Sequence, residues 1–322
     1  MRVLHWLMTA VLGVLLAASG VDAQQTYPTR PIRLIVPFPS GGQTDIVARM
    51  LAQKLTESFG VTVVVDNRPG GGGTIGPESA VKANPDGYTL IMVSASYATN
   101  ASLYKLPYDP VNDVVPIALI GETGFVVTVL PSGPIKSIKE LIAYDKVNPG
   151  KLNYASGGTG SSTHFATELF NQMASTKMTH VPYKGTGLGL TDLLSGQIQV
   201  IFGGFNQMFP QIKSSRVRGI AVTTAKRSSA VPDFPTVGET VPGYEAVQWF
   251  AVWGPKALPK DLVARWNREI NRILQLPDVK ERMAGDGVEP AGGSPERFRE
   301  VLNRDVAKWQ KVVKIAGIKP GN

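Results

Sequence analysis

The stretch IRLIVPFPSGGQTDIVARMLAQKLTESFG, Ile32 to Gly60, decides the fold. Ile32 to Pro37, apolar but for Arg33, is a run that ends in turn residues, the pattern of a strand buried on both faces in a parallel sheet. From Thr44 onward, Ile46, Val47, Met50, Leu51 and Leu55 recur at three- and four-residue spacing, and Gly60 is placed to stop the helix they predict. Strand, glycine bend and amphipathic helix together open an α/β unit.

The unit repeats. Thr62 to Val65 predicts a strand, NRPGGGGTIG (Asn67 to Gly76) a loop, the residues through Ala83 a short helix, and Tyr88 to Val93 a third strand. Further strands are expected at Phe125 to Leu130, Lys151 to Ala155, Lys177 to Val181, Ile198 to Phe202 and Gly219 to Thr223. Helices are expected at Ile138 to Asn148, Ser162 to Met173 and Thr186 to Ser195. After Pro242 the texture changes to an aromatic strand, YEAVQWFAVWGP, followed by two amphipathic helices, Lys260 to Leu276 and Pro295 to Ile315. These helices have no strands of their own, so they are expected to return to the first lobe. The predicted fold class is α/β with two lobes, each a mostly parallel sheet flanked by helices, and a ligand cleft between them. Residues 24–122 with 245–322 form a discontinuous first domain, and 123–244 an inserted second one. The chain then crosses between lobes near Gly121 to Gly124 and Val241 to Tyr244, where glycines suit a hinge.

Length and composition agree with this. A chain of 322 residues supports two cores without disulfides, and it contains no cysteine, which excludes thiol catalysis and thiolate metal sites. Residues 1–23 read as an export signal: Arg2 and His5, an apolar run from Trp6 to Ala18, then Val21 and Ala23 in the small-residue cleavage pattern, with cleavage after Ala23. That run, about 13 residues, falls short of the roughly 20 needed to span a bilayer. Removing the signal takes away Arg2 and Asp22 and leaves the net charge at +8. The basic residues are dispersed rather than gathered in a stripe, which argues against nucleic acid and fits attraction of a small anion.

In an open α/β sheet ligands bind where strands end and helices begin. Ser40, Gly41, Gly42 and Thr44 occupy such a place; exposed amides and a helix dipole there suit a phosphate, an oxyanion or a carboxylate, and the same residues equally serve as a turn and cap. The four glycines after Pro69 read as structural. SASYATN supplies Ser94, Ser96 and Thr99 as neutral hydrogen-bonding groups in a loop. YASGGTGSSTHFATELF places Ser156, Thr159, Ser161, Ser162 and His164 at a second helix start, in the other lobe. No G-x-G-x-x-G follows the first strand and no G-x-x-x-x-G-K-[ST] occurs, so phosphate-loop chemistry is disfavoured. Metal-binding spacings are absent, and the mature chain has only His164 and His180 as histidines. A serine near His164 leaves an exported serine hydrolase as the competing class. A ligand-sensing partner protein would share the same site.

The motifs VPFPSGGQTDIVAR, VVDNRPGGGGTIG, NPDGYTL, YASGGTGSSTHFATELF, HVPYKGTGLGLTDLLSGQIQVIF and VPGYEAVQWFAVWGP resemble, in order and across nearly the whole mature chain, those of the Bug-type solute receptors of tripartite tricarboxylate transporters. The resemblance implies a periplasmic two-lobe binding protein that closes on an organic acid and presents it to membrane permease subunits, without catalysis. It implies no cofactor and carboxylate-holding loops at Ser40 to Thr44, Ser94 to Asn100 and Gly158 to His164; a monomer is expected. One departure stands out. Where the family usually carries an aspartate after QIQVIF, this chain has Gly203, Gly204, Phe205 and Asn206. That makes an ammonium-bearing ligand less favoured and a larger acid, a dicarboxylate or an aromatic acid, more so, with Phe38, Tyr97, Phe205 and Trp249 as candidate walls and Gly203 leaving space.

Overall fold

The computed structural model describes residues 27–228 and 231–319; the export signal and its cleavage site lie outside them. In chain order come β1 (Ile32–Val36), α1 (Gln43–Phe59), β2 (Val63–Asn67), α2 (Ile75–Val81), β3 (Thr89–Ser94), α3 (Ser96–Leu103), β4 (Val114–Val129) and α4 (Ile138–Val147). They are followed by β5 (Asn153–Ser156), α5 (Ser162–Ala174), β6 (Thr179–Pro182), α6 (Thr186–Leu194), β7 (Val200–Gly204), α7 (Phe205–Lys213), β8 (Arg218–Val222), β9 (Val247–Pro255), α8 (Lys260–Leu274), α9 (Pro277–Gly285), β10 (Glu289–Pro290) and α10 (Pro295–Ala316).

The strand–helix–strand units give parallel pairs, because a chain returning through a helix re-enters the sheet in the same direction. Leu34 of β1 faces Val65 of β2 and Leu90 of β3, and β5 pairs in parallel with β6 and β7. The sheet order is β2-β1-β3-β9-β4-β7-β5-β6, with β8 and β10 also on β4. β4 serves both lobes. Its first part, Val114 to Gly124, pairs antiparallel with β9; its second, Phe125 to Val129, pairs antiparallel with β7. One strand carries the chain out and β9 carries it back, which is why these neighbours run in opposite directions.

Two of the crossing glycines are closely packed. Gly121 and Gly124 lie inside β4, and a Cβ at Gly121 would stand 2.6 Å from Val288 Cγ1 and 2.9 Å from the Glu289 carbonyl. α3 forms over the segment read from sequence as a loop, because Tyr97, Ala98 and Leu103 are buried there and packing outweighs weak local propensity. α7 and α9, likewise unforeseen, bury Met208 and Met283.

Three apolar clusters fill the layers. α1 and α8 cover one face of the first lobe, with Leu51, Trp266 and Ile270 against Leu34 and Leu90. α7 covers one face of the second lobe through Met208, against Ile201. The remaining cluster is continuous across both lobes, from Ile91 to Phe165 and Phe202. α10 belongs to it and therefore is not confined to the first lobe: Trp309 packs edge-on against Phe165 of α5 at 5.5 Å, while Asp305 accepts a 2.7 Å hydrogen bond from the buried Trp249 indole. Among the described residues no helix is long and apolar enough to cross a membrane.

Candidate functional site

Four helices begin on one cleft of about 680 Å³: α1 and α3 from the first lobe, α5 and α6 from the second. Each follows a strand end, and the first N–H groups of a helix have no partner within it. In α1 the intrahelical ladder starts only with the Ile46 N–H to the Gly42 carbonyl. The cleft is therefore lined by partial positive charge from both sides. Lys184, exposed in the turn before α6, is the one formally charged side chain lining it among the described residues.

The Ser-Gly-Gly bend is held from behind. Gly41 adopts φ of +84°, which only glycine takes without strain, and its N–H donates to Asp45 Oδ2 at 2.9 Å. Asp45 is buried, and it also accepts from Arg49 Nε and Asn67 Nδ2, both at 2.9 Å. Burial opposes ionisation here, but the hydrogen bonds from Arg49, Gly41 and Asn67 outweigh it and hold the carboxyl below its ordinary value. Asn67 also donates to the Phe38 carbonyl at 3.0 Å, so the whole bend is tied to β2.

The second-lobe bend is held without ionised groups. Ser161 caps α5 by accepting from the His164 N–H at 3.3 Å, the Gly157 N–H donates to Thr163 Oγ1 at 2.9 Å, and the Gly160 N–H donates to His164 Nδ1 at 3.2 Å. The Gly160 carbonyl accepts from Thr99 Oγ1 of α3 at 3.2 Å, a link between the lobes. His164 stacks on His180 with centroids 3.8 Å apart. Burial, reinforced by His180, lowers His164 to about 3; burial lowers His180 to about 4. Both rings are neutral at neutral pH.

Of the residues read from sequence as ligand contacts, Phe38, Ser40, Gly42, Thr44, Ser94, Ser96, Thr159, Ser161 and Ser162 line the cleft. Six lie elsewhere. The Gly41 amide is taken by Asp45. Thr99 is buried in the inter-lobe link, and His164 supports the bend from beneath. Ser156 is enclosed, its Oγ 2.6 Å from His180 Nε2. Gly203 packs under Met208, where a Cβ would meet Cε at 2.5 Å. Phe205 sits over Gly287 and stacks on Phe209 at 4.7 Å, lining a separate cavity of about 800 Å³ between α7 and α9. Two of the candidate walls are core residues: the Tyr97 hydroxyl donates to the Pro110 carbonyl, and Trp249 is fully buried against Phe298. Gln43, inside the Ser40 to Thr44 loop, lines the cleft; so do Gly70 and Gly73, read from sequence as structural, and Lys184, Gly185 and Gln248, which escaped sequence reading. For Lys184 and Gly185 the available signal was the same strand-end, helix-start position in HVPYKGTG.

Chemically the cleft offers amides, hydroxyls and one ammonium. The Ser156–His180 contact is a serine–histidine pair, but its serine is enclosed and does not reach the cleft. His164 Nδ1 accepts from Gly160, which leaves its proton on Nε2 and no base facing Ser161. Among the described residues no three His, Cys, Asp or Glu side chains gather to hold a metal.

The model of the tripartite tricarboxylate transporter family receptor matches residues 47–318. The chain belongs to this family. It is 37% identical to protein BugT of Bordetella pertussis over 319 residues, 97% of this chain and 98% of BugT. Among solved structures it is similar to R. palustris Rpa4515 with adipate, at 37% identity and TM-score 0.81, covering 92% of this chain and 100% of that one. It is also similar to MatC of Rhodopseudomonas palustris with bound malate, at 29% identity and TM-score 0.77, covering 89% of this chain and 100% of that one. The chain is a Bug-type receptor of the two-lobe binding-protein fold, and two of the solved structures it is similar to hold adipate and malate.

Proposed function

We propose that this receptor is exported, captures a dicarboxylate between its lobes in the periplasm as a monomer, and delivers it to the permease subunits of a tripartite tricarboxylate-type transporter without chemical change. The observation that carries this reading is the convergence of four helix starts from two lobes on a cleft whose one formally charged side chain, among the described residues, is a lysine. The carboxylate ligands of Rpa4515 and MatC support it. An aromatic acid is disfavoured because Tyr97, Trp249 and Phe205 are not cleft walls, which leaves Phe38 with Tyr104. In this reading the lobes are residues 24–122 with 245–322, and 123–244, with β4 and β9 as the paired connections that bend on closure. The amides at Gly42 to Thr44 hold one carboxylate; Thr159, Ser161, Ser162 and Lys184 approach from the other side.

A thermal-shift screen of mono- and dicarboxylates tests this. A ligand at a hundredfold excess over its Kd stabilises by about 2.7 kcal/mol, which raises Tm by several degrees. A panel of C3 to C8 acids that leaves Tm unmoved would overturn the proposal, as would hydrolysis of model esters by the purified protein.

A further inference from the structure

Gln248 stands on β9, opposite Thr123 of β4, where both strands pass between the lobes. It lines the cleft beside the α3 start, since the Ala95 N–H donates to the carbonyl of its neighbour Trp249. Three other polar side chains lining the cleft are engaged: Ser94 and Ser96 hydrogen-bond each other at 2.8 Å, and Gln43 donates to the Asp286 carbonyl at 3.3 Å. The Gln248 amide is not. Its Oε1 is buried with no donor from the protein, although buried polar groups are ordinarily paired.

We propose that Gln248 is a specificity-determining residue whose amide takes a hydroxyl on the carbon chain of the bound acid, so that the cleft selects hydroxylated acids over unsubstituted ones of equal length. This rests on the carboxylate-receptor reading. The terminal torsion of glutamine is broad, so the amide turns readily toward a ligand. A hydroxyl is donor and acceptor at once and satisfies whichever end it meets, whereas a methylene satisfies neither. The carboxylates are held by other groups, the helix starts and Lys184, which leaves the amide for what lies between them. A site built to hydrogen-bond a substituent rejects the analogue lacking it, because its own polar group is then left unpaired.

The test is calorimetry with matched pairs, malate against succinate and 2-hydroxyglutarate against glutarate, on the wild type, Gln248→Met and Gln248→Glu. The wild type is expected to prefer the hydroxylated member of the pair that fits by about tenfold or more. Gln248→Met, similar in length but without hydrogen-bonding groups, should bind both members within about threefold of each other and hold the unsubstituted one at least as tightly as the wild type does. Gln248→Glu keeps an acceptor and adds a negative charge, so both members should weaken while the preference survives; this variant carries the test if Gln248→Met does not fold. Equal binding of the pair by the wild type, a preference untouched in Gln248→Met, or equal loss of both members in that variant would overturn the role of Gln248. Binding of none of these acids, nor of any acid in the wider panel, would overturn the receptor reading instead.

Discussion

The two glycine-rich bends that face each other across the cleft do the same job with opposite chemistry. In the first lobe an ionised carboxylate, Asp45, gathers the Gly41 amide, Arg49 and Asn67. In the second lobe a neutral imidazole, His164, accepts from Gly160, with Ser161 and Thr163 completing the support. Rigid presentation of helix-start amides thus does not depend on one kind of anchor. It depends on consuming the amides that are not meant for ligand and leaving the others free. The anchors differ in what breaks them.

Acid separates the two most strongly. His164 and His180 ordinarily titrate near 6.5 and are lowered, chiefly by burial, to about 3 and about 4. Between those values and 6.5 the unfolded chain binds protons that the native state refuses, so the stability they contribute is complete above pH 6.5 and is lost as pH falls towards 4. Each unit of depression corresponds to about 1.4 kcal/mol, so the loss from pH 6.5 to 4 is on the order of a few kcal/mol. Asp45 acts in a lower window. Its carboxyl is held below 3.8, so its contribution persists until pH falls through that range. Urea midpoints measured at steps from pH 7 to 4 should fall, and His164→Gln, whose amide oxygen can still accept from Gly160, should flatten the slope. A slope unchanged in that variant would show that the second bend is not where the acid sensitivity lies.

The first bend is broken by Asp45→Ala. Three hydrogen bonds to one buried carboxylate disappear, and Gly41 and Asn67 lose their anchor, at a cost of about 2–3 kcal/mol. Carboxylate affinity should drop at least about tenfold, since a bend that wanders no longer presents its amides in register. Calorimetry and denaturant midpoints on the same sample decide it. A stable variant with undiminished affinity would mean that the bend holds its shape without Asp45.

Much of this arrangement was legible in the sequence, and the reason is local. The strand ends and helix starts follow from apolar periodicity and from Gly and Ser between periodic segments, so Ser40, Gly42 to Thr44 and Thr159 to Ser162 line the cleft. What escaped depends on distant register. Asp45 drew no reading from the sequence; that it clasps Asn67 follows only once β2 lies beside β1. Gln248 looks like any polar residue in an aromatic strand until β9 is set against Thr123. The resemblance puts Phe205 at the cleft, just after the position where the family usually carries an aspartate, but it opens α7 and turns its ring onto Gly287, a contact from the far end of the chain. Segment SASYATN carries residue types that suit a hydrogen-bonding loop and a helix cap equally, and burial of Tyr97 and Leu103 makes it α3.

The smallest effect sharpens how the two bends communicate. Thr99 is fully buried, and its hydroxyl donates both within α3, to the Ser96 carbonyl at 3.0 Å, and across to the Gly160 carbonyl at 3.2 Å. Gly160 is the residue whose N–H is held by His164, so a single residue, through its N–H and its carbonyl, joins the second-lobe anchor to the first lobe. Thr99→Val keeps the shape and removes the donor, which should cost about 1–2 kcal/mol because a buried carbonyl loses its partner. If the link forms only when the lobes approach, the cost appears in ligand affinity, about tenfold, while the Tm of the ligand-free protein holds. If the link persists in the open receptor, the ligand-free Tm falls by a few degrees and affinity is unchanged. Thermal melts with and without a bound dicarboxylate distinguish the two, and either result says whether the bends are coupled through α3 or only through the acid between them.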